Sequence, residues 1–329
     1  MFMKRRIKVI SLLLVLTLVT GLSSGCSSKQ SSSGGKSETP KYPTKPISMI
    51  IPVAPGGDTD TNGRILAKYL SADLGVSVQV TNVDGSSGSV GTRQVKTAKP
   101  DGYTVLFFHD ATILSTMRGL LDFDIEDLTI AGIPIIDKTA VMVASAKKFK
   151  NFDEMRAKAK AGETITVSMA AGSLSQLAPV AIAQKAGMKF KYVDSTSAAG
   201  RITDLLANRI DMFFTQYGTV KQYVDSGKFS IMGLLSDERN PSFQDVPTFK
   251  EQGVDVSMDK MFYFAFPPKT PQYVVDALSK SLKTVSENQD MKNDLSKYYL
   301  KPTYKSPSDS VAYIKNLKNF YSQFHDILK

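Results

Sequence analysis

The sequence predicts an α/β fold in about two domains. Three observations carry that prediction. From residue 47 onward, short apolar runs alternate with stretches of helical periodicity, the pattern of sheets fed by crossover helices. The chain has 329 residues, about twice an ordinary domain. Loops of small residues recur where strands hand over to helices, which is where open α/β sheets bind ligands.

In chain order, residues 47–53 (ISMIIPV) form a continuous apolar run and read as a buried strand. Pro55, Gly56 and Gly57 break it. Ile65, Leu66, Tyr69, Leu70 and Leu74 then recur at helical spacing, with Asp58 or Thr59 as cap and Gly75 as stop. Val76, Val78 and Val80 alternate as a strand. Residues 85–91 are a Gly/Ser loop, and 93–98 read as helical. Pro100-Asp101-Gly102 is a turn before a strand over 103–108. A mainly parallel sheet is expected.

The second half repeats the alternation. Strands are expected over 140–144, 164–169, 189–193, 210–214 and 229–235. Helices are expected over 153–161, 175–186, from Ile202, and over 220–226. Residues 261–266 (MFYFAF) are apolar, and Pro267-Pro268 ends them. A helix over 271–286 carries Val274, Val275, Leu278, Leu282 and Val285 on one face, and a last helix covers 309–328.

Residues 1–25 read as a signal peptide. Lys4, Arg5, Arg6 and Lys8 precede a 14-residue apolar run over 9–22, too short to span a bilayer well. Leu22-Ser23-Ser24-Gly25-Cys26 resembles a bacterial lipobox, with Ser23 at the position usually held by Leu. Cys26, the one cysteine, is the expected lipidation site, and a diacylated Cys gives a stable anchor. Residues 26–41 are Ser/Gly/Lys-rich and read as a tether. A retained membrane anchor and an ordinary secreted protein are the alternatives.

Composition excludes several classes. A single Cys rules out an internal disulfide or a zinc finger, and His109 and His325 lie far apart, against a His-rich metal site. Four of the 41 cations and none of the 31 acids lie in the signal, so the mature chain carries +6. No basic run with interleaved aromatics points to nucleic acid. There is no phosphate-binding Gly-Lys loop, no His-Glu-x-x-His, no Cys-x-x-Cys and no Gly-x-Ser-x-Gly. His109 beside Asp110 has no evident nucleophile to serve. No catalysis, cofactor or metal is expected.

What remains is a set of loops at strand exits. Gly56 and Gly57 expose backbone N–H groups at a helix start, a setting that holds a carboxylate. Asp58 and Asp60 oppose an anion there; they cap the helix, hold a water, or meet an amino or hydroxyl group of the ligand. Ser87 and Gly88, Ser173, Ser197, and Thr215 with Gln216 occupy comparable positions. Their division between the two halves favours an interdomain cleft.

At Tyr42-Pro43-Thr44-Lys45-Pro46-Ile47 and at residues 52–60 (PVAPGGDTD) the chain resembles the tripartite tricarboxylate transporter substrate-binding proteins, the Bug or TctC-type receptors. The similarity continues through Gly85-Ser86-Ser87-Gly88-Ser89-Val90-Gly91 and Lys99-Pro100-Asp101-Gly102-Tyr103-Thr104. It resumes at Thr203-Asp204-Leu205-Leu206, Asp211-Met212, Gly227-Lys228 and Asp245-Val246-Pro247-Thr248. The resemblance implies a two-domain, type II periplasmic-binding-protein-like (Venus flytrap) fold. One domain would comprise 42–143 plus 261–329, the other 144–260. It also implies a carboxylate held by backbone amides of 55–60. Where the family offers a second loop rich in glycine, often with lysine, this chain has Ser195, Thr196, Ser197, Ala198 and Ala199, so hydroxyls replace amides.

The expected function is therefore a lipid-anchored receptor on the outer face of the cytoplasmic membrane. It would bind a small organic anion and deliver it to the large and small membrane subunits of a permease, as a monomer. The candidate contacts are Gly56, Gly57, Asp58, Asp60, Ser173, Ser197, Thr215 and Gln216, with Ser87, Gly88 and His109 behind them. A chemosensory receptor, a surface hydrolase and a structural surface protein are the competing readings.

Overall fold

The first strand forms because ISMII is apolar, pairs on both edges and has both faces covered by core. The computed structural model describes residues 40–195 and 197–328. The signal peptide, Cys26, most of the tether and Thr196 lie outside them. β1 (Ile47–Ile51) is followed by α1 (Asp58–Leu74), which Gly75 ends with φ 68°. β2 (Val78–Asn82), a 3-10 turn over Ser86–Gly88 and α2 (Ser89–Lys96) come next. β3 (Thr104–His109), α3 (Ala111–Met117) and β4 (Thr129–Asp137) complete the first passage.

The chain then enters a second sheet through β5 (Ala140–Ser145). There α4 (Phe152–Lys160), β6 (Ile165–Met169), α5 (Leu174–Ala186), β7 (Phe190–Asp194) and α6 (Ala198–Leu206) follow. β8 (Met212–Gln216), α7 (Tyr217–Asp225) and β9 (Phe229–Leu234) close this sheet. β10 (Lys260–Phe266) returns to the first sheet, with α8 (Gln272–Glu287), α9 (Gln289–Ser296) and β11 (Pro302–Lys305) after it. α10 (Pro307–Ser322) and α11 (His325–Leu328) are two helices where the sequence reads as one.

The two sheets run β11-β4-β10-β3-β1-β2 and β7-β6-β8-β5-β9. Neither is mainly parallel. β1 pairs parallel with β2 and β3, and β6 with β7 and β8; β10 runs antiparallel to β3 and β4, β11 to β4, and β5 to β8 and β9. The expectation of a parallel sheet fails at the strands that carry the chain between sheets. β4 runs almost directly into β5 through Lys138 and Thr139, so no crossover helix restores its direction.

Burial follows the layers. One face of the first sheet packs Ile51, Phe107, Phe262 and Phe264 under α1, α8 and α9. The other face joins Ile50, Leu106, Phe108 and Tyr263 to Met142, Val167, Met212 and Phe214 of the second sheet in one continuous apolar cluster. The far face of the second sheet packs Val141, Phe213 and Leu205 with Tyr217 and Val220. The fold is a mixed α/β structure of two sheet-centred domains whose facing loops meet over a shared core.

Candidate functional site

A cavity with about 670 Å³ of atom-free space, counted out to its solvent mouth, lies where loops of the two sheets face one another. Five helices begin at its wall: α1 at Gly57 and Asp58, α2 at Gly88, the short α3 at Ala111, α5 at Ser173 and Leu174, and α6 at Ala198. Each helix start carries partial positive charge from N–H groups with no partner inside the helix. The sequence builds these starts with small residues, which let the backbone come close.

The facing loops touch. A Cβ added to Gly57 would sit 3.0 Å from the Cβ of Ala198, and one on Gly56 3.8 Å from that of Ala199. The Ser87 hydroxyl donates to the carbonyl of Ala171, and the Ser115 hydroxyl donates to Gly172 O at 3.2 Å. Gly88 has φ +87°, and its missing side chain is what admits the Phe108 ring; an added Cβ would lie 2.2 Å from that ring.

Charge in the cleft is arranged around a buried pair. Lys260 Nζ, at the start of β10, donates to Asp58 Oδ2 at 2.5 Å. The other oxygen, Oδ1, accepts from the backbone N–H of Thr59 at 2.8 Å and from its hydroxyl at 3.3 Å. Burial alone raises the carboxyl, but the Lys260 charge and hydrogen bond, helped by His109 and Thr59, outweigh it and hold Asp58 down at about 2. Asp58 is thus ionised and fully partnered.

His109 ends β3 at the cavity wall. Burial, reinforced by the Lys260 charge, lowers its pKa against the opposing pull of Asp110 and Asp58. Its Nδ1 lies 3.1 Å from the Ala111 backbone nitrogen and 3.3 Å from Asp110 Oδ1. Behind it Asp110 Oδ2 accepts from the Tyr321 hydroxyl at 2.7 Å, tying α10 to the site.

Arg201, on α6, is with Lys260 one of two cavity cations that sequence reasoning missed. It is 7% exposed, lines the cavity, and donates from Nη1 to Ser195 O at 2.6 Å. Its Nε is buried without a hydrogen-bond partner, and among the described residues no carboxylate lies within ion-pair distance of it. Burial lowers its pKa to about 10, against the more distant Asp58, Asp194 and Asp84, so it stays charged at neutral pH.

Of the sequence-predicted residues, Gly57, Asp58, Ser87, Gly88, His109, Ser173 and Thr215 line the cavity. Gly56, Asp60, Ser197 and Gln216 do not line it. Gly56 donates its N–H to Asp60 Oδ2 at 3.0 Å, and Asp60 also holds Arg64 and Asn82, so this carboxylate fastens the loop from behind. Ser197 caps α6 through Gly200 N, and Gln216 Nε2 donates to Asp137 Oδ2 at 3.2 Å. Ser197 to Gly200 is therefore partly the first turn of a helix, where the sequence reads as loop. Asp137 is a second omission. Burial pushes it up to about 6 despite hydrogen bonds from Thr139.

Residues 63–323 match the family model described as "Tripartite tricarboxylate transporter family receptor". An Agrobacterium vitis protein described as "UPF0065 protein in the TAR-I ttuE-ttuC' intergenic region" is 30% identical over 250 residues, 74% of this chain and 72% of that one. The periplasmic binding protein BugD superposes with a TM-score of 0.81 at 26% identity, over 87% of this chain and 98% of its own. The R. palustris protein Rpa4515, whose structure holds adipate, superposes with a TM-score of 0.82 at 20% identity, over 88% of this chain and 98% of its own; it shares the fold. No helix among the described residues is long and apolar enough to cross a membrane.

Proposed function

The chain belongs to the tripartite tricarboxylate transporter receptor family, and from that membership we propose that it captures a small organic carboxylate in the cleft and delivers it to a two-subunit membrane permease. One observation carries the reading. A buried, charged guanidinium with no carboxylate at ion-pair distance among the described residues faces a cavity at which five helices begin. Each of these features favours an anion, and an unpaired buried cation is costly until one arrives. That Rpa4515 holds adipate on the same fold supports an acidic ligand.

In this reading the lobes move about the two places where the chain changes sheets, Lys138–Thr139 and the entry to β10. Ligand contacts made only in the closed form drive that motion. The bet for contacts is the backbone of Gly57 and Asp58, the hydroxyls of Ser87, Ser173 and Thr215, and Arg201. Gly56, Asp60, Ser197 and Gln216 hold the loops. Lipidation of Cys26 after removal of residues 1–25 would keep the receptor on the outer face of the membrane. No catalytic step is assigned.

The test is a thermal-shift screen of the purified protein against mono-, di- and tricarboxylates, amino acids and sugars. A carboxylate at about 100 times its Kd adds about 2.7 kcal/mol to stability. Stabilisation by carboxylates alone is the expected result. Stabilisation by sugars alone, or by nothing in protein shown to be folded and free of carried-over ligand, overturns the reading.

A further inference from the structure

We infer that the cleft is built for a small monocarboxylate with an apolar body, selected by Arg201; this rests on the carboxylate-receptor reading above. The inference comes from charge and from the shape of the lining. Two buried cations, Arg201 and Lys260, and one buried anion, Asp58, reach the cavity. Lys260 is matched by Asp58 at 2.5 Å, and both oxygens of Asp58 are occupied, by Lys260 and by Thr59. As a unit that pair is neutral, so it adds no net charge to draw a second carboxylate or an ammonium group. Of the buried charges one positive is left over, on Arg201; Asp84, which also lines the cavity, is exposed, so solvent screens its charge.

The helix starts do not change this count. α1 is answered by Asp58 and Asp60 in its own first turn. α6 begins at the same pole as Arg201, which it carries. The α6 start and Arg201 therefore act on the same anionic group, while the α2 and α5 starts add partial, not formal, charge. Away from that pole Phe108, Ala111, Leu174 and Phe214 give the wall apolar stretches between the hydroxyls of Ser87, Ser173 and Thr215. A ligand with one carboxylate on Arg201 sets a hydrocarbon or aromatic body against these apolar side chains. A dicarboxylate of the same length would bury its second charge near Asp58 with no free cation.

The experiment uses the protein expressed from its full-length sequence, purified as the cell leaves it, in detergent where lipid-bound. It is stripped of carried-over ligand by unfolding and refolding. Affinities are measured by calorimetry for isovalerate, 4-methyl-2-oxopentanoate and phenylacetate, for malate, adipate and citrate, and for leucine. The expected result is binding of at least one monocarboxylate, with the di- and tricarboxylates and leucine at least about 100-fold weaker. Arg201→Gln should lose at least about 100-fold for the monocarboxylate, and Arg201→Lys should recover part of it. Dicarboxylate or leucine binding as tight as monocarboxylate binding overturns the inference and leaves the carboxylate reading standing. A folded Arg201→Gln protein that binds like the wild type also overturns it. Failure of every carboxylate overturns both readings. Should Arg201→Gln not fold, the wild-type ratio of mono- to dicarboxylate affinity still decides.

Discussion

Replacing Lys260 by Met should reverse the way the protein's stability responds to pH. In the wild type Asp58 is held near 2 from an ordinary 3.8, chiefly by Lys260 working against the burial penalty. At 1.36 kcal/mol per pH unit this is about 2 kcal/mol. Because the folded pKa is depressed, that stability is present above about pH 4 and is lost as the pH falls toward 2. Met fills similar volume and keeps the packing against Phe262, over whose ring Nζ now lies at 4.9 Å. Without the ammonium group, burial dominates and raises the Asp58 carboxyl. The group then stabilises the fold in its neutral form, below about pH 4, and that contribution disappears as pH rises through the raised value. At pH 7.5 the single variant should lose about 3–5 kcal/mol, the cost of stranding a buried charge. At about 2–3 °C per kcal/mol for a chain of this size, Tm should fall by about 6–15 °C. Asp58→Asn combined with Lys260→Met should recover most of the loss, because no charge is stranded. The assay is thermal unfolding by circular dichroism from pH 4 to 8. A single variant that loses less than about 1 kcal/mol, or a double variant as unstable as the single, would refute the account of this pair.

Two further predictions test the closed cleft and the strand crossing. Gly57→Ala keeps an allowed backbone (φ −90°, ψ 178°) but sets a methyl 3.0 Å from Ala198 on the opposite wall. It should weaken carboxylate affinity about 10- to 100-fold by calorimetry while leaving the ligand-free Tm nearly unchanged. Asp137→Asn should remove a pH dependence. The wild-type carboxyl, raised by burial to about 6 from 3.8, contributes about 3 kcal/mol below pH 4 that is lost as pH rises through 6. The amide stays neutral throughout, so the variant should be the more stable protein at pH 8, by denaturant midpoint. Equal slopes between pH 4 and 8 for the two proteins would count against a raised Asp137.

The strand-exit loops were legible because glycine, proline and small polar residues mark turns locally, and Gly57, Ser87 and Ser173 all reached the wall. β4 was missed because TIAGIPIID contains Gly132 and Pro134. Pairing with β10 rescues it as an irregular strand, with Gly132 at φ +153° and register shifts along the pair. α9 was missed because Met291 and Leu295 are its only buried residues, too few to show a period. Lys260 and Asp58 lie 202 positions apart, so no local pattern announces their contact. Arg201 sits among alanine, glycine and serine, where a cation reads as solvated surface. Only the approach of α6 to the Gly57 loop makes it buried, and that approach is a tertiary fact.

In the proposed closure, the same tertiary fact couples binding to motion. Arg201 belongs to one wall and the Gly57 loop to the other; the two walls approach at Gly57 and Ala198, and Arg201 is 7% exposed. Closing therefore strips water from a cation whose Nε finds no partner. Without an anion that step costs about 1–3 kcal/mol, on the scale of an unsatisfied buried donor, and more for its charge. A carboxylate removes the penalty and adds a charge-assisted pair, so it binds the closed form far better than the open one. A preference of about 10⁴ carries a population from 1:99 to 99:1. Arg201→Met deletes the penalty and the reward together. Its ligand-free form should be more closed than the wild type, read as a smaller radius of gyration by X-ray scattering, and carboxylate should no longer change that radius. A ligand-free Arg201→Met protein as open as the wild type would show that something other than this guanidinium keeps the lobes apart.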